Sequence, residues 1–234
     1  MNPINKISYS LIELIDKYIH RKKILFFLKK IIKKPKYILD IGAHKGNYTD
    51  LFLHLNTNLK IILFEPNIYL YKKLLKKYKN NNNLKILNLG IGEKKTKKNF
   101  LINKNSDYVS SLSRINSKSK YLLIRNLILG SLSNKVEKKI INIQKLDNLN
   151  FLQNKKIDLI KIDVEGYEEN VIDGAKLILK NTKIILIEFH NDDMYVNFNA
   201  KKIHNKLIKL GFKLDKKIKF PLMRWEDRIY LQKN

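Results

Sequence analysis

Apolar positions fall into two regimes along the chain. Ile12, Ile15 and Ile19, and again Leu25, Leu28 and Ile32, sit three or four apart with Lys and Arg between them. That spacing predicts a basic helical leader over 1–36, closed by Pro35. From Lys36 the pattern changes to short apolar runs alternating with helical stretches. Strands are predicted over 37–41, 60–64 and 84–89, with helices over 47–55 and 67–78, the second opened by Asn67 as an N-cap. A glycine loop, Gly90-Ile91-Gly92, follows the third strand. Residues 93–135 are less regular and predict a hairpin strand over 97–102, a Ser-rich loop over 106–119 and a short helix over 121–129. Regularity returns with strands over 138–143, 158–164 and 183–189 and helices over 146–152, 168–179 and 200–210, the last capped by Gly211. Two strands, 212–220 and 228–232, end the pattern.

Repeated strand–helix units with near-continuous apolar strands imply a mostly parallel sheet covered on both faces. Ligands of such α/β sheets bind at the carboxyl ends of the strands. No linker interrupts 36–234, so one domain with an N-terminal extension over 1–35 is expected.

Composition narrows the function classes. Of 234 residues, 44% are hydrophobic and 10% aromatic, enough for a sizeable core. There is no cysteine. Disulfide frameworks, thiolate zinc sites and cysteine nucleophiles are thereby excluded. The longest apolar run, 24–28, is far short of a membrane span, and no secretory signal is readable. A cytoplasmic location is expected, with a possible anionic membrane surface as partner of residues 1–36.

The formal net charge is +27, carried by 43 Lys and only 5 Arg beside 34 Ile and 28 Asn. All three abundant residues have AT-rich codons. A surface merely coated in Lys and a surface selected for a polyanion therefore both remain open. Selection for phosphate forks would favour Arg.

Four groups of residues carry candidate chemistry. Asp40-Ile-Gly42-Ala43-His44-Lys-Gly46 spans a strand-to-helix turn, where glycines permit close backbone approach and a helix start offers free N–H groups. The spacing is neither the dinucleotide fingerprint nor a P-loop. Glu65, before Pro66 at the next strand end, is placed to accept the two hydroxyls of a ribose. Lys161, Asp163 and Glu165 lie two apart and share a side if their strand continues. They suit a general base with a charge partner, an oxygen-rich metal site, or a structural ion pair. His190 lies just past the strand carrying Glu188 and titrates near neutrality, so it suits proton transfer or simple capping.

The ordered set Asp40-x-Gly42-x-x-x-Gly46, Phe64-Glu65-Pro66, Ser110-Ser111-Leu112, Leu146-Asp147, Lys161-Ile-Asp163-Val-Glu165-Gly166-x-Glu168, Gly174-Ala175 and Glu188 resembles the FkbM family of S-adenosylmethionine-dependent methyltransferases. The likeness covers 36–192. It implies the class I (Rossmann-like) methyltransferase fold, a mostly parallel seven-stranded sheet with helices on both faces and an antiparallel last strand at 228–232. It implies that Asp40, Gly42, Ala43, His44 and Gly46 hold the methionine end of S-adenosylmethionine. Glu65 and Pro66 would hold the ribose, and Gly90, Ile91 and Gly92 the adenine. Asp163, Glu165 and Lys161 would face the acceptor, a hydroxyl of a sugar, glycolipid or related metabolite. Asp163 is the expected base, with His190 as alternate and Lys161 stabilising the developing alkoxide. No metal ligand is assigned. The family usually has Asn where His44 stands and commonly Thr where Lys145 stands. Nucleic acid is not expected as partner, because no RNA-recognition signature is readable. An RNA or polyanion methyltransferase, or a non-catalytic protein keeping the fold, is the alternative.

Overall fold

The computed structural model describes residues 3–103, 112–129, 136–196 and 198–233. The chain opens with helix α1 (Pro3–Ile15), a π-helical turn (Asp16–His20) and helix α2 (Arg21–Ile31). Ile24 and Leu28 of α2 are fully buried against Ile38, Phe52 and Leu186. These helices thus share the core of the sheet that follows. Their second anchor is His20, fully buried, whose Nε2 lies 2.8 Å from Asp227 Oδ2. A π turn adds a residue to the helical ladder. Here it lies between the two α-helices and carries that histidine.

Strand β1 (Tyr37–Ile41), helix α3 (Asn47–Leu53), strand β2 (Lys60–Phe64), helix α4 (Ile68–Lys77) and strand β3 (Leu84–Leu87) come next. Asn67 does cap α4, its side-chain oxygen accepting from Tyr69 N at 3.0 Å. The expected loop at Gly90-Ile91 is instead a short strand, β4 (Gly90–Ile91). Strand β5 (Thr96–Asn103), helix α5 (Lys120–Leu129) and strand β6 (Val136–Gln144) follow, and β4, β6 and β5 form a small side sheet. Of the Ser-rich loop, Ser110 and Ser111 lie outside the described residues.

Strand β7 (Ile157–Ile162), helices α6 (Glu168–Asp173) and α7 (Lys176–Lys180), strand β8 (Thr182–His190), helix α8 (Ala200–Lys209) and strands β9 (Phe212–Lys219) and β10 (Trp225–Gln232) complete the chain. The main sheet has the order β3-β2-β1-β7-β8-β10-β9, parallel except for β10, which runs antiparallel to both neighbours. All six residues of β7 are buried. A strand covered on both faces needs such a continuous apolar run.

Three further elements differ from the sequence pattern. The helix expected over 168–179 breaks at Gly174, where an added Cβ would lie 1.9 Å from the Gly92 carbonyl oxygen. Backbone contact between those two loops replaces a helical turn. The helix expected over 146–152 is two 3-10 turns, Leu146–Asn148 and Asn150–Leu152. Strand β7 stops at Ile162, so Asp163 and Glu165 lie on the loop beyond it. Among the described residues, no helix is long and apolar enough to cross a membrane.

Candidate active site

The carboxyl ends of β1, β2, β7 and β8 line one pocket. On the β1–β2 side each acid is met by its own motif. Asp40, buried at the end of β1, accepts from Thr49 Oγ1 at 2.6 Å. Burial pushes its carboxyl up to about 6 against that hydrogen bond. Glu65 Oε2 accepts from His44 N at 2.7 Å and Oε1 from Asn67 N at 2.8 Å. His44 reaches it from a left-handed backbone, φ 51°. Burial raises Glu65 to about 7, although both N–H groups favour its charged form.

The β7–β8 side is assembled from distant segments. Lys161 Nζ, almost fully buried, lies 2.8 Å from Asp163 Oδ2 and 4.1 Å from the Tyr48 ring centroid. Burial works against the Lys161 charge, but Asp163, Asp227 and Glu188 outweigh it and push the ammonium up. The loop after β7 folds around Glu168, whose Oε1 accepts from Val164 N and Gly166 N. Glu165, at φ 54°, accepts from the Tyr195 hydroxyl, and the same ring packs on Gly166. Glu188 is driven well up by burial and by Asp163 and Glu165. His190 Nε2 stands 3.4 Å from Glu188 Oε1 without closing a hydrogen bond. Burial lowers His190, while Asp192, Glu165 and Glu168 outweigh it and raise it.

A third wall comes from outside the expected motifs. Tyr9, Ile12 and Asp16 of the leader, and Tyr121 and Arg125 of α5, line the pocket with Met223 and Trp225. The far side of Asp227 is tied to this wall, since Tyr48 and His20 both bond its Oδ2, at 2.7 and 2.8 Å.

Of the sequence-derived residues, Asp40, Gly42, Ala43, His44, Glu65, Pro66, Gly90, Ile91, Asp163, Glu165 and His190 line this pocket. Gly46, Gly92 and Lys161 do not. Gly46, at φ 77°, turns toward Tyr78 and Leu74, and Gly92 packs against Tyr167 and Ile143. Lys161 lies beneath the surface, its ammonium taken by Asp163 and the Tyr48 ring. His190 is the last residue of β8 rather than a residue past it. Gly42 serves a contact within the protein. A Cβ there would lie 1.8 Å from the Asp163 carbonyl oxygen, so this glycine joins the β1 turn to the β7 loop. Among the described residues no group of His, Asp and Glu has metal-binding geometry.

The family model described as the methyltransferase FkbM domain matches residues 40–214. The chain belongs to the FkbM methyltransferase family. Solved structures share the fold of this FkbM chain. Precorrin-6y C5,15-methyltransferase from Geobacter metallireducens GS-15 is 14% identical, with a TM-score of 0.51 over 92% of this chain and 87% of that one. An rRNA methylase from Streptococcus thermophilus is 10% identical, with a TM-score of 0.50 over 90% of this chain and 94% of that one. At these identities the likeness is one of fold. A search of curated proteins finds no match.

The pocket of the FkbM chain suits a sulfonium nucleoside in its chemistry. The acidic residues Asp16, Asp40, Glu65, Asp163, Glu165 and Glu188 line a space also walled by Phe64, Leu89, Ile91 and Phe100. A cation answers the first set and a base ring the second. Sequence reasoning missed Tyr48, Tyr195 and Asp227. None belongs to a local motif, and each acts through a partner between 30 and 207 residues away.

Proposed function

We propose that the protein transfers a methyl group from S-adenosylmethionine to a hydroxyl oxygen of a small metabolite, with a sugar or glycolipid as the acceptor class. The observation that carries this reading is the Asp163 carboxylate, which faces the pocket while Lys161 grips it from below at 2.8 Å. S-adenosylmethionine, when bound, supplies an already activated methyl group. Glu65 and the Gly42–His44 part of the β1 turn would hold it, with Gly90 and Ile91 beside the base. Asp163 takes the proton from the acceptor hydroxyl. Lys161 acts as a positioning residue, fixing the carboxylate that does this work. His190, with its Nε2 free of hydrogen bonds, is the alternate proton acceptor. The remaining task is alignment, where well-placed reactants can gain roughly 7–11 kcal/mol.

The expectation that nucleic acid is not a partner has no support from the comparisons, since one neighbour is titled an rRNA methylase. The formal charge of +27 favours that second reading. The pocket favours the first, because its carboxylates would repel a phosphate backbone. The deciding assay follows methyl transfer to total RNA and to a mixture of glycans and glycolipids. Transfer to RNA that falls steeply with salt, with none to hydroxylated metabolites, overturns the hydroxyl reading.

A further inference from the structure

The leader's outward face is the least explained surface of the molecule. Ile7, Leu11, Leu14 and Tyr18 recur at spacings of three and four, and are 68%, 51%, 49% and 50% exposed. Their spacing makes them one stripe of a helical surface. Helix α5 packs beside α1 and presents Leu123, Ile124 and Leu127, at 57%, 57% and 67% exposed. Scattered single apolar residues need no explanation, but four at helical spacing on α1, with three more on the adjacent α5, do.

The charge around the stripe says what suits it. Residues 1–36 carry ten cationic side chains and two acidic ones. One of those acids, Asp16, is neutralised by Arg21 at 2.9 Å. Lys17 and Lys22 hold their ammoniums 4.9 and 5.4 Å from the Tyr18 ring centroid, and Lys30 sits 4.2 Å from that of Phe26, itself 63% exposed. Aromatic and aliphatic side chains flanked by snorkelling lysines match an interface with anionic headgroups. A second copy fits poorly, because a self-complementary interface would set these lysines against each other.

We propose that the outer face of α1, α2 and α5 seats the protein on an anionic lipid bilayer. The opposite faces of α1 and α5 bear Tyr9, Ile12, Tyr121 and Arg125, which wall the pocket. Seating therefore holds the pocket one helix diameter, roughly 10 Å, from the membrane surface, near an acceptor carried on a lipid. The docking goes beyond the proposed reaction and does not rest on it.

Deleting residues 1–36 is a poor test, since Ile24, Leu28 and His20 are buried in the domain. Surface substitutions serve better. The full chain and a Leu11→Ser, Leu127→Ser double variant are sedimented with phosphatidylcholine vesicles, with and without phosphatidylglycerol. The full chain should bind only the anionic vesicles and release at high salt. The double variant should bind them at least about tenfold more weakly. Its melting temperature and its calorimetric affinity for S-adenosylhomocysteine should be unchanged, which separates lost docking from a lost fold or a lost cofactor site. Absence of binding to anionic vesicles, equal binding to neutral ones, or an unaffected double variant overturns the proposal. So does a concentration-dependent dimer that the double variant abolishes, because a second copy then covers this face.

Discussion

The two sides of the pocket hold their carboxylates on different terms. At the β1–β2 edge, Asp40 and Glu65 are answered within 21 residues, by Thr49, His44 N and Asn67 N. At the β7–β8 edge, Glu165 is answered by Tyr195 and Asp227 by His20 and Tyr48. There the His190 Nε2, 3.4 Å from Glu188 Oε1, has no hydrogen-bond partner that closes. The first side is a self-contained clamp, complete in the protein alone. The second is assembled by the tertiary structure and leaves buried proton-accepting groups turned to the pocket. A buried polar group without a partner is costly unless function uses it. On the proposed function, the first side would hold S-adenosylmethionine and the second would hold the acceptor.

The largest effect expected from this division is at Asp163. Asp163→Asn is close to isosteric and removes the proposed base, so turnover should fall about a thousandfold. Calorimetric affinity for S-adenosylmethionine should stay within about threefold, since the first side is untouched. Parallel losses in both would break the division. Unchanged turnover would remove Asp163 from the chemistry and leave His190.

The division also explains what was legible beforehand. The β1 turn, Glu65 and the Lys161–Glu168 block were readable because spacing alone brings their members together. The parallel sheet was readable because β7 and β8 are mostly apolar and covered on both faces, with only a few charged residues among their apolar positions. The break at Gly174 was not, because the cause is the Gly92 carbonyl, 82 residues away in sequence. Nor was the third wall of the pocket. Tyr9 and Asp16 sit in a leader whose pattern shows only an amphipathic helix, and a helical period does not say what its polar face meets. The tight approach of the Asp163 carbonyl to Gly42, which also lines the pocket, was not readable either, because it joins two loops some 120 residues apart.

Next in size is a pH effect on the ligand-free chain. Burial raises Glu65 from 4.5 to about 7 and Asp40 from 3.8 to about 6. Both hold protons more tightly folded than unfolded. Their contribution to stability is thus fully present below the unfolded values and is lost as pH rises through the folded ones. For Glu65 that loss is about 3 kcal/mol between pH 4.5 and 7. Thermal melts of the ligand-free chain should show stability falling over this window, and Glu65→Gln should flatten the fall. If Glu165→Gln flattens it as much, the two sides do not differ in this respect.

Gly42→Ala tests the joint between them. The residue sits at φ 82°, and a Cβ would strike the Asp163 carbonyl. A cost of about 2 kcal/mol in stability is expected from the left-handed backbone and the displaced loop. Cofactor affinity and turnover should both suffer, because the β1 turn and the β7 loop move together. A variant that loses affinity yet keeps its turnover at saturating cofactor shows that the sides adjust independently.

The smallest effect is the most discriminating one. In Glu65→Gln the side chain keeps its size, but its amide nitrogen replaces one acceptor facing the His44 or Asn67 N–H. One hydroxyl of a ribose also loses a charged acceptor. Affinity for S-adenosylmethionine should weaken about tenfold, close to 1.4 kcal/mol, while turnover at saturating cofactor holds. The ratio between the two proteins should itself depend on pH. Above about 7 the native Glu65 is ionised and the full difference appears; below it the native carboxyl takes up a proton and comes to resemble the amide. Calorimetric titrations on either side of that value should therefore show the gap closing toward acid. A gap of constant size would mean that the charge of Glu65 is not what holds the cofactor, and the clamp would then rest on the backbone of the β1 turn alone.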